Sequence, residues 1–469
     1  MKKIHTTIYS AVALLMFSFS AMAQENKVSE AVPDNYRNAA ATDTASIAAI
    51  KWKDFFTQKD LLRLIDGALA KNNDLQIAEK NINIANLQYR QSKWGSVPQV
   101  NAFANASTTR LSENSLNGIS TKQALGQHHV DDYSAGLNLS WEADIWGKIR
   151  NQKKQARASY LQTAEVRKAV QTAVVANVSK GFYDLLMLDA QLDIARKTLV
   201  LNDSIVFIVN LQFQAGQVTS LAKQQTEAQR LIAAKLIPQL EQNIQLQENA
   251  LSVLAGTFPE AKERSSNLNS TVVNDDLAAG IPSQLLNRRP DVKSAELALQ
   301  AANAKVGIAK AYFYPTLNIT AAGGVNSFEL SNWFNIPASL FGTVAGGLTA
   351  PLLNNRKIRT QYEIAKSQRD QAAIQFRQTV LVAVSEVSNA LVSIEKLKTQ
   401  YTLANERVTT LRNAVGNASL LFKNGMANYI EVIVAQGNLL QAELELAALK
   451  SERLSANTEL YRALGGGWE

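Results

Sequence analysis

The sequence predicts a mainly α fold with membrane β-structure, built from a duplicated unit. Four strands per chain, pooled by three chains, would close a twelve-stranded β-barrel continuous with a twelve-helix α-barrel. Three observations lead there. The chain repeats itself, each copy holds a helix far longer than a globular domain uses, and each copy inserts two short alternating segments at matching places.

The repeat is read from spacing. Asp74, Ala78, Glu79, Ala85, Asn86, Lys93, Pro98 and Asn101 recur without a gap as Asp291, Ala295, Glu296, Ala302, Asn303, Lys310, Pro315 and Asn318. Further along, Lys148-Ile149-Arg150, Ala156, Gln162, Val178-Ser179, Phe213, Gly216 and Gly256 recur as Lys357-Ile358-Arg359, Ala365, Gln371, Val387-Ser388, Phe422, Gly425 and Gly465. Compositional bias scatters matches and does not hold constant spacings over such lengths. The second spacing differs from the first, so one net insertion or deletion lies between Asn101 and Lys148. The chain then divides into a signal segment (1–23), an N-terminal segment (24–73), repeat 1 (74–256), an inter-repeat segment (257–290), repeat 2 (291–465) and a short end (466–469).

Both repeats follow one plan. A first helix, Asp74 to about Gly95 or Asp291 to about Tyr312, stops before a proline, as helices do. Strands are expected at about 99–108 and 133–142 in one copy and 316–327 and 339–350 in the other. Val100, Ala102, Ala104 and Ala106 share one face, as do Tyr133, Ala135, Leu137, Leu139 and Trp141; the opposite faces carry Asn101, Asn105, Asn138, Ser140, Asn318 and Thr320. The long helices come next, 148–215 and 356–424. Between Gly147 and Gly216 there is no proline and one glycine, Gly181; between Arg356 and Gly425 the only glycine is Gly416. At 1.5 Å per residue such a helix is about 100 Å long. Each ends at a glycine and folds back into a helix, 217–256 or 426–464. That returning helix spans about 60 Å and the first helix about 33 Å, so stacked end to end they match the long one.

Four strands cannot close a membrane barrel, because the smallest has about eight, and open edges are not tolerated in lipid. Pooling three chains removes the difficulty. A competing class, a periplasmic coiled-coil adaptor or scaffold without a pore, accounts for the helices but not for four strands placed alike in both repeats.

Composition excludes other classes. Lys2 and Lys3, an apolar run from Ala11 to Phe19, and Ala21-Met22-Ala23 read as a secretory signal cleaved after Ala23. No later run is long and apolar enough for a spanning helix. With no cysteine the chain has neither disulfides nor a lipid-bearing thiol. The net charge of +8 is spread along helical segments, without a basic block interleaved with aromatics, so no nucleic-acid partner is expected. His128 and His129 are neighbours in a polar loop, poor geometry for a metal. Glu142 and Asp144 at a strand-to-helix joint have no histidine or phosphate loop beside them, so neither a catalytic site nor a cofactor is expected.

Several runs carry a resemblance. They are Trp52-x-x-Phe55-Phe56, Asn73-Asp74-Leu75, Leu139-Ser140-Trp141-Glu142-x-Asp144-Ile145-Trp146-Gly147-Lys148, Ile281-Pro282-Ser283-x-Leu285-Leu286-x-Arg288-Arg289-Pro290-Asp291-Val292, and Phe313-Tyr314-Pro315. Together they are similar to the TolC-like outer-membrane factors of RND-type tripartite efflux systems, in the nodulation-type branch, over nearly all of the mature chain. The resemblance implies a homotrimer with an outer-membrane β-barrel in lipid, a periplasmic α-barrel and an equatorial girdle. It also implies a periplasmic adaptor (membrane fusion) protein and an inner-membrane RND pump as partners. Many relatives carry a lipidated cysteine where this mature chain begins near Gln24. Many also have an aspartate two residues after the second tip glycine, where this chain has Ala427.

Two sets of residues follow as candidate functional positions. The hairpin turns are expected together at the periplasmic end, as gate and adaptor contact: Phe213, Gly216, Phe422, Gly425, Asn428 and Tyr429. Trp141, Trp146 and Gly147 mark the joint between barrel and helices. Arg288-Arg289-Pro290-Asp291 reads as structural, with proline opening a helix and Asp291 favouring its N-terminal dipole.

Overall fold

A computed structural model describes Tyr36, residues 46–274 and residues 277–469, within a unit running from Asp34 to Glu469. The expected signal segment, with Ala21 and Ala23, lies outside the described residues. Eight helices of eight residues or more and four strands order the rest: α1 (Lys59–Lys71), α2 (Asn73–Lys93), β1 (Gln99–Arg110), α3 (Leu116–Leu125), β2 (His129–Ala143), α4 (Lys148–Gln214), α5 (Ser220–Leu254), α6 (Pro290–Ala311), β3 (Thr316–Ser327), β4 (Leu340–Thr349), α7 (Lys357–Lys423) and α8 (Tyr429–Ala463). None of the described helices is long and apolar enough to cross a membrane.

The long helices α4 and α7 hold 67 residues each. α2 and α5 both pack along α4, and α6 and α8 both pack along α7. The short helices meet end to end at glycines. Gly256, at φ +65°, sits where an added Cβ would fall 2.2 Å from the Lys71 carbonyl oxygen, so α5 ends against the end of α1. Asn72 seals this join: its Nδ2 donates to Leu254 O at 2.9 Å while its Oδ1 caps Leu75 N at 3.0 Å. Gly465, at φ +91°, sits where an added Cβ would fall 2.9 Å from the Arg288 carbonyl oxygen, joining α8 to the start of α6. Glycine is required at both joins, because backbone crowds the Cβ position and φ is positive.

The four strands form one antiparallel sheet in the order β1-β2-β3-β4. The apolar faces coincide across it: Val100 faces Leu139, Leu139 faces Ala321, and Ala321 faces Val344. The two hairpins are in equivalent register. Gln99 faces Ser140 in the first, and their counterparts Thr316 and Thr349 face each other in the second. Equivalent registers place the insertion between the repeats in the β1–β2 connection, the stretch that contains α3.

Several sequence boundaries shift. β2 begins at His129, which pairs with Arg110, so this histidine lies in a strand rather than in a loop with His128. The helix α3 has no counterpart in repeat 2 and was invisible to a reading built on the repeat. α5 and α8 start at Ser220 and Tyr429, later than residues 217 and 426, because each tip uses its intervening residues for the turn.

The core sits where α1, α4, α5, α8 and the inter-repeat segment meet. Phe182, Leu185 and Leu186 of α4, Leu61 and Ile65 of α1 and Leu460 and Tyr461 of α8 are all buried there. Tyr461 stacks on Phe55 at 4.2 Å and donates its hydroxyl to Ile50 O at 2.6 Å.

Candidate functional site

The barrel joint explains the motif around Trp141 residue by residue. Trp141 Nε1 donates to Ser96 O at 2.9 Å, holding the end of β2 to the chain entering β1. Glu142 accepts from Lys148 Nζ at 2.6 Å, and the same ammonium lies 5.4 Å from the Tyr312 ring centre. Asp144 caps α4, accepting from Ile149 N at 2.8 Å and Arg150 N at 2.9 Å. Trp146 stacks on Tyr314 at 4.6 Å and donates Nε1 to Pro315 O at 2.7 Å, binding repeat 1 to repeat 2. Gly147 then turns the chain into the long helix with φ +74°. The joint between strands and helices thus combines a local helix cap with hydrogen bonds that tie together segments far apart in the chain.

The two hairpin tips are built alike. Gln217 N donates to Gln212 O at 2.8 Å and Met426 N to Leu421 O at 2.9 Å, each closing the end of a long helix over a left-handed glycine. Gly216 and Gly425 have φ of +71° and +70° with open space where a side chain would stand, so conformation alone demands glycine. Asn428 begins α8 as its cap, with Oδ1 accepting from Ile430 N at 2.9 Å. Tyr429 reaches the other hairpin and donates its hydroxyl to Gln225 Oε1 at 2.6 Å.

Beneath the tips lies a small apolar core of Ile205, Val209, Ala222, Phe422 and Val432, against which Tyr429 packs. It joins both hairpins, so the two turns adjoin. The repeat symmetry breaks here. Phe422 is 5% exposed inside this core, whereas its counterpart Phe213 is 40% exposed, with Lys223 Nζ 5.9 Å from its ring centre.

Residues 64–257, and again residues 281–466, match the model of the outer membrane efflux protein family. The chain belongs to that family. The cation efflux system protein CusC of Escherichia coli is 30% identical over 440 residues, which are 93% of this chain and 90% of the relative. The solvent efflux pump outer membrane protein SrpC of Pseudomonas putida is 29% identical over 437 residues, 91% of this chain and 90% of the relative. A crystal structure of CusC superposes with a TM-score of 0.82 at 28% identity, covering 93% of this chain and 97% of that one. This outer membrane efflux protein is therefore an efflux channel of the outer membrane, with the fold of the TolC-like factors.

In the efflux protein the girdle around mid-helix carries charged clamps that the sequence reading missed. Arg289, 4% exposed, donates Nη1 to Glu386 Oε2 at 2.8 Å and to Ala463 O at 2.9 Å, and Nη2 to Asp291 Oδ2 at 2.6 Å. Burial works against the Arg289 charge, but its two carboxylates outweigh it and hold the guanidinium above its ordinary pKa. Arg264 likewise bridges Asp189 on α4 and Glu248 on α5. Asp60 on α1 accepts from the backbone and hydroxyl groups of Ser265 and Ser266 in the inter-repeat segment. Pro290 and Asp291 open α6 as expected, but nothing local in Arg-Arg-Pro-Asp signals a buried arginine. Its partners lie far along the chain.

Proposed function

We propose that this efflux protein works as a homotrimeric exit duct that passively conducts small toxic compounds from the periplasm to the exterior. A periplasmic adaptor protein grips its helical part, an inner-membrane RND pump supplies the energy, and outer-membrane lipid surrounds its strands. The observation that carries the reading is the sheet. Its outer strands β1 and β4 each pair on one side only among the described residues, and its apolar face is bare, with Val344 83% exposed. A chain in lipid does not leave such edges open, and four strands are too few to close on themselves.

Tip positions Asn428 and Tyr429 then approach the trimer axis and form the gate, and Trp141, Trp146 and Gly147 join the barrel to the helices. The duct performs no chemistry of its own. The relatives are named for cations and for solvents, and one passive bore serves either class, so the pump selects the cargo. The test is native mass spectrometry of protein extracted from outer membranes, together with conductance in planar bilayers. A conducting trimer is the expected result; a soluble monomer without channel activity removes the reading.

A further inference from the structure

We propose that the strand region of the duct holds an aromatic binding station, where a planar uncharged aromatic molecule stacks between Phe103 and Phe341 over a floor of two glycines, Gly136 and Gly324. This rests on the trimeric duct proposed above and names the class of cargo that its bore holds in transit.

The four residues form one row across the sheet. Phe103 faces Gly136, Gly136 faces Gly324, and Gly324 faces Phe341. Directly opposed residues share a face, and side chains alternate faces along each strand. The row therefore lies with Asn101, Asn105 and Asn138, on the face opposite to Val100, Leu139 and Val344. In the duct the apolar face meets lipid, so both phenyl rings stand in the bore.

Burial singles out the same two rings. Phe103 is half-buried while every other residue of β1 is exposed, and Phe341 is likewise the one residue of β4 that is not exposed. Each stands opposite a glycine, over whose bare backbone a ring can lie. No larger residue fits at either glycine. A Cβ on Gly136 would fall 2.4 Å from the Gly323 carbonyl oxygen, and one on Gly324 2.1 Å from that of Ala135. Three strand spacings, roughly 14 Å, separate the two phenylalanines. Two aromatic walls thus flank a floor without side chains. A flat ring system fits there, held by offset or edge-to-face stacking.

Charge decides what kind of molecule the station takes. Asp132, paired with Asn326 at 2.7 Å, and Glu142, paired with Lys148 at 2.6 Å, mark the two ends of the bore face. Between them the strands present no charged residue to the bore, only Asn, Gln, Ser, Thr, Gly and Ala beside the two phenylalanines. An ion finds no countercharge there and passes unheld. An uncharged aromatic molecule stacks, and the facing amides of Asn101 and Asn138 in the next row offer hydrogen bonds to its polar substituents.

The test is photolabelling of outer membranes with 4-azidobenzyl alcohol, a water-soluble uncharged aryl azide, with adducts located by peptide mass spectrometry. Adducts on Leu137 and Val344 of the lipid face measure plain partition into the membrane. We expect adducts in the row of Phe103 and Phe341 that saturate with probe concentration. Excess 2-naphthol should compete them away, and its saturated counterpart decahydro-2-naphthol should not. Phe103→Leu and Phe341→Leu keep an apolar side chain and remove the ring. Each should raise the probe concentration for half-saturation on the order of five-fold, and the double variant more. The competition on the unaltered protein decides the matter even where a variant fails to assemble. A conducting trimer whose row labels no more saturably than its lipid face overturns the station and leaves the duct standing. So does a double leucine variant with a lower thermal midpoint and unchanged labelling, since the rings then serve only to cover the glycines. A soluble monomer without channel activity overturns the duct itself, and the station with it.

Discussion

The hydroxyl of Tyr429, in the first turn of α8, donates a 2.6 Å hydrogen bond to Oε1 of Gln225 on α5 and so ties one hairpin of the chain to the other. If the tips form the gate, this bond is part of the latch. Tyr429→Phe removes it and leaves the ring in the apolar core beneath. A hydrogen bond is worth about 1 kcal/mol net, so the open fraction should rise by roughly five-fold, read as higher mean conductance in planar bilayers. Gln225→Ala should give a similar rise, and the double variant no more than either alone. Additive effects would mean that the two residues act separately.

Asn428 stands beside it in sequence and does a different job, since its Oδ1 caps α8. Asn428→Ala should loosen the start of that helix at a cost of about 1 kcal/mol, whereas Asn428→Ser retains the cap. Faster hydrogen exchange at Ile430 and Glu431 in the alanine variant alone is the expected readout. Any conductance change shared by both variants belongs to the side chain's place at the gate.

Arg289 should be the most costly of the girdle residues to lose. It is buried and donates to Glu386, Asp291 and the Ala463 carbonyl, with Arg462 as a second cation at Glu386, 3.0 Å away. Arg289→Ala leaves the Ala463 carbonyl without this donor and takes one of two cations from Glu386, and should destabilise the protein by about 1–3 kcal/mol, seen as a lower thermal midpoint and less assembled protein. Lysine should rescue little, because it cannot satisfy two carboxylates and a carbonyl in a fixed fork. Glu386→Gln keeps a hydrogen-bond acceptor and should lose less than half as much.

The repeat spacing, the proline-free helices and the period-two segments were legible because each is a pattern along the chain, set by rise per residue and side-chain alternation. The equivalence of Phe213 and Phe422 was legible too, but not its failure. Their different burial depends on how the two hairpins pack against each other, a tertiary fact without local trace. The same holds for Arg289, whose helix-opening neighbours Pro290 and Asp291 follow local rules while its partners lie on α7 and at the end of α8. The roles of Glu142 and Asp144 were hidden for another reason. A carboxylate that caps a helix and one that catalyses look alike until the backbone N–H groups of Ile149 and Arg150 are seen pointing at it.

The sheet makes a sharp contrast between two glycines in strands. A Cβ on Gly136 would fall 2.4 Å from the Gly323 carbonyl oxygen across the ladder, while one on Gly342 would meet nothing within 4 Å. Gly136→Ala must therefore push β2 away from β3 and should lower the yield of folded, heat-modifiable protein in outer membranes. Gly342→Ala should be neutral or slightly favourable, since alanine loses less backbone freedom on folding. Equal behaviour of the two variants would show that the tight crossing of β2 and β3 does not limit assembly.

Asp60 should give the girdle a dependence on acid. Its carboxylate accepts from Ser265 N and Oγ, each at 2.8 Å, from Ser266 N and Oγ at 3.1 and 3.0 Å, and from Arg63. Burial alone would raise its pKa, but the hydrogen bonds from Ser265, Arg63 and Ser266 prevail and hold it below the ordinary value of 3.8. A group depressed on folding contributes stability that is whole above its unfolded-state value and is lost as pH falls through its folded-state value. Asp60→Asn should thus cost about 2 kcal/mol at neutral pH, from charged hydrogen bonds replaced by weaker ones. Denaturant unfolding of the two proteins from neutral pH downwards measures the difference. It should hold steady until the pH nears 3.8 and then shrink, as the carboxylate takes up its proton in the unfolded wild-type chain while the folded one stays charged. A gap that stayed constant into strong acid would mean that the inter-repeat segment is held by contacts other than this carboxylate.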